Sequence, residues 1–282
     1  MHGGAGAVAG RDYSVVEKHM AELAAECGQR LEAGARALDV VEYAVVELES
    51  SGMYVAGRGS APNSAGYVEL DASIMDGRTR DAGAVAAVVS VVNPVTAARR
   101  VMEDTPHVML CGKGAREFAT RQGLELVEDP GSYYKLPIGV YRHELGERGH
   151  GTVGAVALDQ SGGLAAATST GGTFGKLEGR VGDSPLIGAG TWADDGIAVS
   201  CTGIGEHIIR AGGALAVACK VRAGSDTETA IDEMLAEVKS LGGDGGVIAV
   251  TRTGEIAMRY NSQGMKRASI GSELALFVKT FA

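Results

Sequence analysis

The sequence changes character abruptly near its middle, and any fold for the chain has to accommodate that break. Arg142 to Gly151 is charged and irregular, Arg-His-Glu-Leu-Gly-Glu-Arg-Gly-His-Gly. From Thr152 the residues are small and β-branched, Thr-Val-Gly-Ala-Val-Ala-Leu, which reads as a buried strand. A hydroxyl residue heading a core strand, straight after a Gly-rich tail, suggests a chain cut before that hydroxyl. Cutting between Gly151 and Thr152 leaves Thr152 with a free α-amine beside its own Oγ1. A threonine hydroxyl is a weak nucleophile and needs a base, and an α-amine titrating near ~8 is partly neutral around physiological pH. One residue then supplies both nucleophile and base. Taken alone, Gly-Thr-Val-Gly is an ordinary strand start; the segments downstream change that reading.

Glycine is frequent and dispersed, 43 residues against 6 prolines. That argues for tight turns and close backbone approaches rather than a linker or a collagen-like repeat. With 45% hydrophobic residues, the 282-residue chain can bury a sizeable core. The net charge is −9 and no basic patch is interleaved with aromatics, so nucleic acid is not an expected partner. No apolar run is long enough for a membrane-spanning helix. The opening Met-His-Gly-Gly-Ala-Gly has no basic-then-apolar leader pattern, and Cys27, Cys111, Cys201 and Cys219 lack metal-type spacing. Reduced thiols and a cytoplasmic location are therefore the expectation.

Helical periodicity marks Tyr13 to Ala33 and Leu38 to Leu48, and Glu49 to Ser60 is too glycine-rich to be regular. Tyr67 to Met75 and Ala84 to Val91 read as paired strands. Asn93-Pro94 starts a helix through Met102. His107 to Leu110 reads as a short strand, with His107 packed, and Ala115 to Gln122 as a helix. Glu128 to Gly151 has no periodicity and reads as a linker. Thr152 to Leu158 and Leu164 to Thr168 form a hairpin across residues 159–163. Leu186 to Ala189 and Ile197 to Ser200 are short strands, and Gly205 to Val221 and Asp226 to Ser240 are helices. Val247 to Thr251 and Glu255 to Arg259 form a second hairpin. Hairpins with helices grouped between them suggest an α+β fold of sheets covered by helices, a four-layer sandwich. There is no strict βαβ alternation, which disfavours a dinucleotide-binding fold.

Thr152 is followed by Ser169-Thr170-Gly171-Gly172, then Gly179-Arg180-Val181-Gly182-Asp183-Ser184-Pro185, then Ser200-Cys201-Thr202-Gly203-Ile204-Gly205-Glu206. With these motifs in this order, the sequence resembles the plant-type asparaginase/isoaspartyl-peptidase family of N-terminal-nucleophile hydrolases. The likeness runs from His2-Gly3-Gly4-Ala5-Gly6 to Asn261-Ser262-Gln263-Gly264-Met265. It implies the αββα four-layer sandwich and a single domain over residues 1–282. It also implies self-cleavage at Gly151–Thr152 into an α subunit, 1–151, and a β subunit, 152–282, assembled as a dimer of αβ units. The implied reaction is hydrolysis of the β-amide of L-asparagine or of β-aspartyl dipeptides, with no organic cofactor.

The same resemblance implies site roles. Thr152 is the nucleophile and Thr170 the hydroxyl that orients it. Arg180 and Asp183 clamp the substrate's α-carboxylate and α-ammonium, as a guanidinium fork and an aspartate suit a zwitterion. Thr202 and Gly203 form the oxyanion hole, and Gly205 lines the pocket. Without the resemblance, Arg-x-x-Asp is an ion pair in a turn and Gly-Ile-Gly a helix cap. The stretch from Leu48 to Arg58 resembles a loop that holds a structural sodium ion on the backbone carbonyls of Leu48, Glu49, Ser51, Tyr54, Ala56 and Arg58. Two departures stand out: Val55 replaces an asparagine, and Met1 directly precedes His2 where the family carries a short apolar strand. Two rivals are an unprocessed, weakly active or non-catalytic homologue and a hydrolase of glycosylated asparagine. The second rival typically has Asp where this chain has Gly151.

Overall fold

The computed structural model describes residues 1–141, 143 and 151–282. Most of the charged run ahead of Gly151, Arg142 and residues 144–150, lies outside them. The architecture is α+β. Two helices open the chain, α1 (Ser14–Glu32) and α2 (Ala37–Ser51). Val16, Met20, Leu23 and Cys27 recur on one side of α1 at helical spacing and are buried. Next come β1 (Leu70–Asp76), β2 (Ala82–Val88), α3 (Pro94–Asp104), β3 (Met109–Cys111), α4 (Gly112–Arg121) and the single turn α5 (Pro130–Tyr133). After residue 152 follow β4 (Val153–Leu158), β5 (Leu164–Thr170), β6 (Thr191–Ala193) and β7 (Ile197–Gly203). Then come α6 (Gly205–Arg210), α7 (Gly213–Arg222), α8 (Thr227–Ser240), β8 (Gly245–Thr251), β9 (Ile256–Tyr260), β10 (Arg267–Gly271) and β11 (Leu274–Lys279).

One sheet runs β3-β2-β1-β5-β4, antiparallel except for the β2–β3 pair. A second, antiparallel sheet runs β6-β7-β8-β9. The β10–β11 hairpin joins the first sheet through His2, which bridges Gly154 on β4 and Arg267 on β10. Helices α2 and α3 pack on the first sheet, α7 and α8 on the second, and β4 and β5 pack on β7. The apolar core divides accordingly. One cluster joins α1, α2 and α3 to the outward side chains of the first sheet, such as Leu70, Ile74 and Val85. The other joins α7 and α8 to Val199, Val247 and Ala249.

Several expectations need correction. Leu186 to Ala189 is a run of turns, bridged only at Ile187–Thr191, and the strand begins at Thr191. The helix expected from Gly205 to Val221 is two helices, because Gly212 at φ 74° and Gly213 at φ 39° reverse the chain between them. His107 is exposed and precedes its strand. The supposed loop from Glu49 begins as the last turn of α2 and contains a 3₁₀ turn at Gly57–Gly59. The β10–β11 hairpin carried no signal that sequence periodicity caught. The hairpin at residues 159–163 is as expected, with Asp159 Oδ1 accepting from the amides of Ser161 at 3.0 Å and Gly163 at 2.9 Å.

Candidate active site

Strand pairing places the site. Val153 lies opposite Ser169 on β5, so Thr152 arrives beside Thr170, the last residue of that strand. Thr152 is buried, with Oγ1 at 3.4 Å from Thr170 Oγ1. The Thr170 hydroxyl donates to the carbonyl oxygen of Gly151 at 2.6 Å and accepts from Gly172 N–H at 2.9 Å. The peptide bond ahead of Thr152 thus carries a short hydrogen bond on its carbonyl, from a hydroxyl whose orientation a backbone amide fixes. Such a donor polarises the carbonyl toward attack.

Gly151, Thr152, Thr170, Arg180, Asp183 and Gly203 line one small pocket. Its volume of about 10 Å³ leaves room for about one water while Gly151 is in place. Gly203 ends β7 at φ 151°, and a Cβ there would collide with Asp244 O, so only glycine serves. Thr202 sits behind the pocket, fully buried, its Oγ1 accepting from Ala5 N–H at 3.2 Å. That leaves the Thr202 hydroxyl hydrogen for another acceptor. Gly205 starts α6 and packs against Asp183, where an added Cβ would come to 2.9 Å from Oδ1. Arg180 is bound side-on by Glu206, with Nε to Oε1 and NH2 to Oε2 both at 2.8 Å. Of the residues singled out from sequence, Thr152, Thr170, Arg180, Asp183 and Gly203 meet at one pocket, and Thr202 and Gly205 back it.

The opening glycine loop belongs to this site. A Cβ on Gly4 would meet Thr152 O at 3.0 Å and Gly151 Cα at 3.3 Å, so the loop lies along the Gly151–Thr152 bond. Val55 covers the same bond from another side, and a Cβ on Gly151 would come to 2.7 Å from Val55 Cγ2. The Val55 carbonyl accepts from Gly171 N–H at 3.0 Å, tying this loop to the strand end that carries Thr170.

Sequence reasoning missed three groups. Glu206 grips Arg180 from 26 residues away, beyond any local pattern. Lys176 is buried behind the pocket, donating to Glu69 O at 3.1 Å and lying 3.8 Å from Asp71 Oδ2. Burial pushes its ammonium down, and Asp71 and Glu69 oppose that push. A buried hydroxyl chain links the two sheets, from Ser73 through Thr191 and Thr168 to Ser200 and His2 Nε2, with separations of 2.6 to 3.0 Å. Burial, helped by the nearby amino terminus, lowers His2 to about 3, so its ring is neutral at physiological pH. The small residues at these positions alternate like any core strand, and nothing in the sequence separates them from packing.

The Leu48–Arg58 loop is tightly folded and largely buried. A Cβ on Gly59 would collide with the Tyr54 carbonyl oxygen, and one on Gly57 would come to 2.7 Å from the Glu49 carbonyl oxygen. The Leu48, Ala56 and Arg58 carbonyls accept hydrogen bonds from Ser51 Oγ, Gly59 N–H and Lys135 N–H, each with a second lone pair left. Among the described residues, no group of three or more His, Cys, Asp and Glu side chains could hold a metal.

A family profile described as asparaginase matches residues 1–276. The chain belongs to the asparaginase family. Its relatives include an isoaspartyl peptidase of Escherichia coli, 44% identical over 291 residues that cover 95% of this chain and 91% of the relative. The isoaspartyl peptidase of Salmonella typhimurium is also 44% identical, covering 95% of this chain and 93% of its own length. The human isoaspartyl peptidase/L-asparaginase is 42% identical over 280 residues, covering 95% and 90%. Asparaginase family membership therefore extends over both halves of the chain and over every residue of the pocket.

Proposed function

We propose that this chain is a hydrolase that first cuts itself at Gly151–Thr152 and then cleaves the β-amide of L-asparagine and the β-peptide bond of isoaspartyl dipeptides. The observation that carries the reading is the Thr170 hydroxyl at 2.6 Å on the Gly151 carbonyl, beside the Thr152 hydroxyl in a small pocket. In the uncut chain Thr152 Oγ1 attacks the Gly151 carbonyl carbon, the Oγ1 proton passes to the Thr152 nitrogen as the C–N bond breaks and the amine is freed, and water hydrolyses the resulting ester to release the Gly151 carboxylate. Departure of the Gly151 end empties the space it fills.

In turnover that amine takes the Oγ1 proton as Oγ1 attacks the substrate's side-chain carbonyl. Thr202 Oγ1–H and Gly203 N–H hold the oxyanion. The amine returns the proton to the departing ammonia or amino acid. Water then cleaves the β-aspartyl ester to aspartate. Arg180 takes the α-carboxylate and Asp183 the α-ammonium, with Gly205 shaping the floor. The helices covering two face-to-face sheets support the αββα four-layer sandwich, and strands shared between the halves support a single domain over 1–282. The family likeness alone carries a structural sodium ion on the backbone carbonyls of Leu48, Glu49, Ser51, Tyr54, Ala56 and Arg58, and the chemistry needs no organic cofactor. Free thiols at all four cysteines fit a reducing, cytoplasmic setting. A dimer of αβ units follows from the family likeness. No helix among the described residues is long and apolar enough to cross a membrane.

The test pairs ammonia release from L-asparagine with hydrolysis of β-Asp-Leu, for the natural chain and for Thr152→Ala. Mass spectrometry is expected to show two fragments for the natural chain and one intact species for the variant, with both hydrolyses lost in the variant. Turnover by an uncut chain, or cleavage of Thr152→Ala, would overturn the proposal.

A further inference from the structure

Gly151 stands between the small pocket, which it lines with Thr152, Thr170, Arg180 and Asp183, and Val55, which does not line it. A Cβ on Gly151 would come to 2.7 Å from Val55 Cγ2 and 2.8 Å from Val55 Cβ. Val55 is buried in a small apolar cluster with Ala61 and Phe174, against which Val140 packs, separate from the two large cores. Thr173, next to Phe174 in the chain, lines the pocket. None of the four side chains in the cluster carries a charge or a hydrogen-bonding group.

Turnover constrains where the two parts of a substrate go. The acyl part is held by its α-groups on Arg180 and Asp183. The leaving nitrogen takes its proton from the Thr152 amine, so it must come within ~3 Å of that nitrogen. In the uncut chain the Gly151 carbonyl carbon is bonded to the same nitrogen, at ~1.33 Å. The leaving residue therefore reaches into the space that Gly151 gives up, and Val55 borders that space. Resting on the proposed function above, we infer that Val55, with Ala61 and Phe174, forms a subsite for an apolar side chain on the leaving amino acid, so that β-aspartyl dipeptides ending in a large aliphatic residue are the preferred substrates. The contacts on the acyl side are common to every β-aspartyl compound and do not discriminate among them. Ammonia from asparagine has nothing to lay against Val55, and a leaving glycine has no side chain. The cluster offers no cation to the leaving residue's own carboxylate, so the side chain is what it receives. No bond forms or breaks beyond those of the proposed reaction.

The test compares kcat/KM for β-Asp-Leu, β-Asp-Gln and β-Asp-Gly on the self-cleaved enzyme. All three pass through the same aspartyl ester, so differences in kcat/KM arise while the leaving residue is still bound. β-Asp-Leu is expected to exceed β-Asp-Gly by roughly tenfold or more. β-Asp-Gln, of similar length but polar, is expected to stay near β-Asp-Gly. Val55→Thr keeps the branched shape and exchanges a methyl for a hydroxyl. It is expected to cut the preference for β-Asp-Leu over β-Asp-Gly by about threefold or more. The ratio is read on the cut fraction, with β-Asp-Gly as the internal reference for changes in the shared acyl chemistry. Equal kcat/KM for β-Asp-Leu and β-Asp-Gly, or for β-Asp-Leu and β-Asp-Gln, would overturn the inference. So would a Val55→Thr enzyme in which both fall by the same factor, since Val55 would then act on the acyl chemistry alone. If the natural enzyme hydrolyses neither dipeptides nor asparagine, the proposed function itself fails, which is a separate result.

Discussion

At Gly151 a missing side chain decides the geometry. The carbonyl of this residue must sit 2.6 Å from Thr170 Oγ1 while its α-carbon lies under Val55. An added methyl at 2.7 Å from Val55 Cγ2 forces one of the two to move. Overpacking of this kind costs ~1–3 kcal/mol, equivalent to roughly five- to 150-fold in rate if it displaces the carbonyl from its donor. Gly151→Ala is therefore expected to slow self-cleavage by that factor, read as the uncut fraction on a denaturing gel over time. Gly151→Ala combined with Val55→Gly should recover most of the rate, since both colliding atoms, Val55 Cγ2 and Cβ, are gone; no recovery would remove Val55 from the account. The pocket residues were legible in the sequence because hydroxyls, glycines and a charged pair come as short ordered motifs. Glu206 was not, because it meets Arg180 only through the fold, 26 residues away in sequence. Val55 was flagged for the asparagine it replaces, and the structure adds what its own methyls do.

At the scale of elements, long amphipathic helices and alternating hairpins were readable because their periods are set by the backbone. The misread ones were decided by tertiary contact. The break between α6 and α7 follows from Gly212 and Gly213, which a helix of mean apolar character otherwise tolerates. The β10–β11 hairpin is exposed along much of β11, so it lacks the apolar alternation of a core strand. Its docking exposes a further feature. Met1 and His2 lie between β4 and β10, His2 exchanging backbone hydrogen bonds with Gly154 and Met1 with Ala268. Beyond them the facing edges of β4 and β10 flank a cleft of about 920 Å³ that also touches Leu31, Val41, Ile248 and Val250. Continuing the register of His2, three residues joined ahead of Met1 would lie between Val156–Leu158 and Ser269–Gly271. Both faces of such a segment would be covered, so it should be apolar throughout. Each buried Val or Ile contributes ~1.5–3 kcal/mol against ~1–2 kcal/mol of backbone ordering. A Val-Ile-Val extension is then expected to raise the melting temperature by several degrees, at ~2–4 °C per kcal/mol for a chain somewhat smaller than this one. A Gly-Ser-Asp extension should leave it unchanged; equal shifts from both would show that the cleft takes no strand.

Across the whole molecule, the two halves on either side of Gly151–Thr152 are interleaved rather than adjacent. Strand β1 from the first half pairs with β5 from the second at every step from Asp71–Thr170 to Asp76–Ala165. His2 pairs with Gly154, Ala37 N–H donates to Asp159 at 3.0 Å, and one apolar cluster mixes α1, α2 and β1 with β4 and β5. Breaking one peptide bond removes none of these contacts. A cut there would remove the covalent link that makes folding unimolecular, so its effect would belong to assembly rather than to the native structure. The cleaved protein is therefore expected to elute with both fragments in one peak, at the position of Thr152→Ala, and to separate only in denaturant. Refolding from urea should then distinguish the two forms. Thr152→Ala should regain native signal with a yield that is insensitive to dilution, whereas the cleaved form should lose yield as it is diluted, because its fragments must first find each other. Fragments that part on a native column would mean that the shared sheet does not hold the halves together, and a cleaved form that refolds as well when dilute would mean that one half carries the native signal alone.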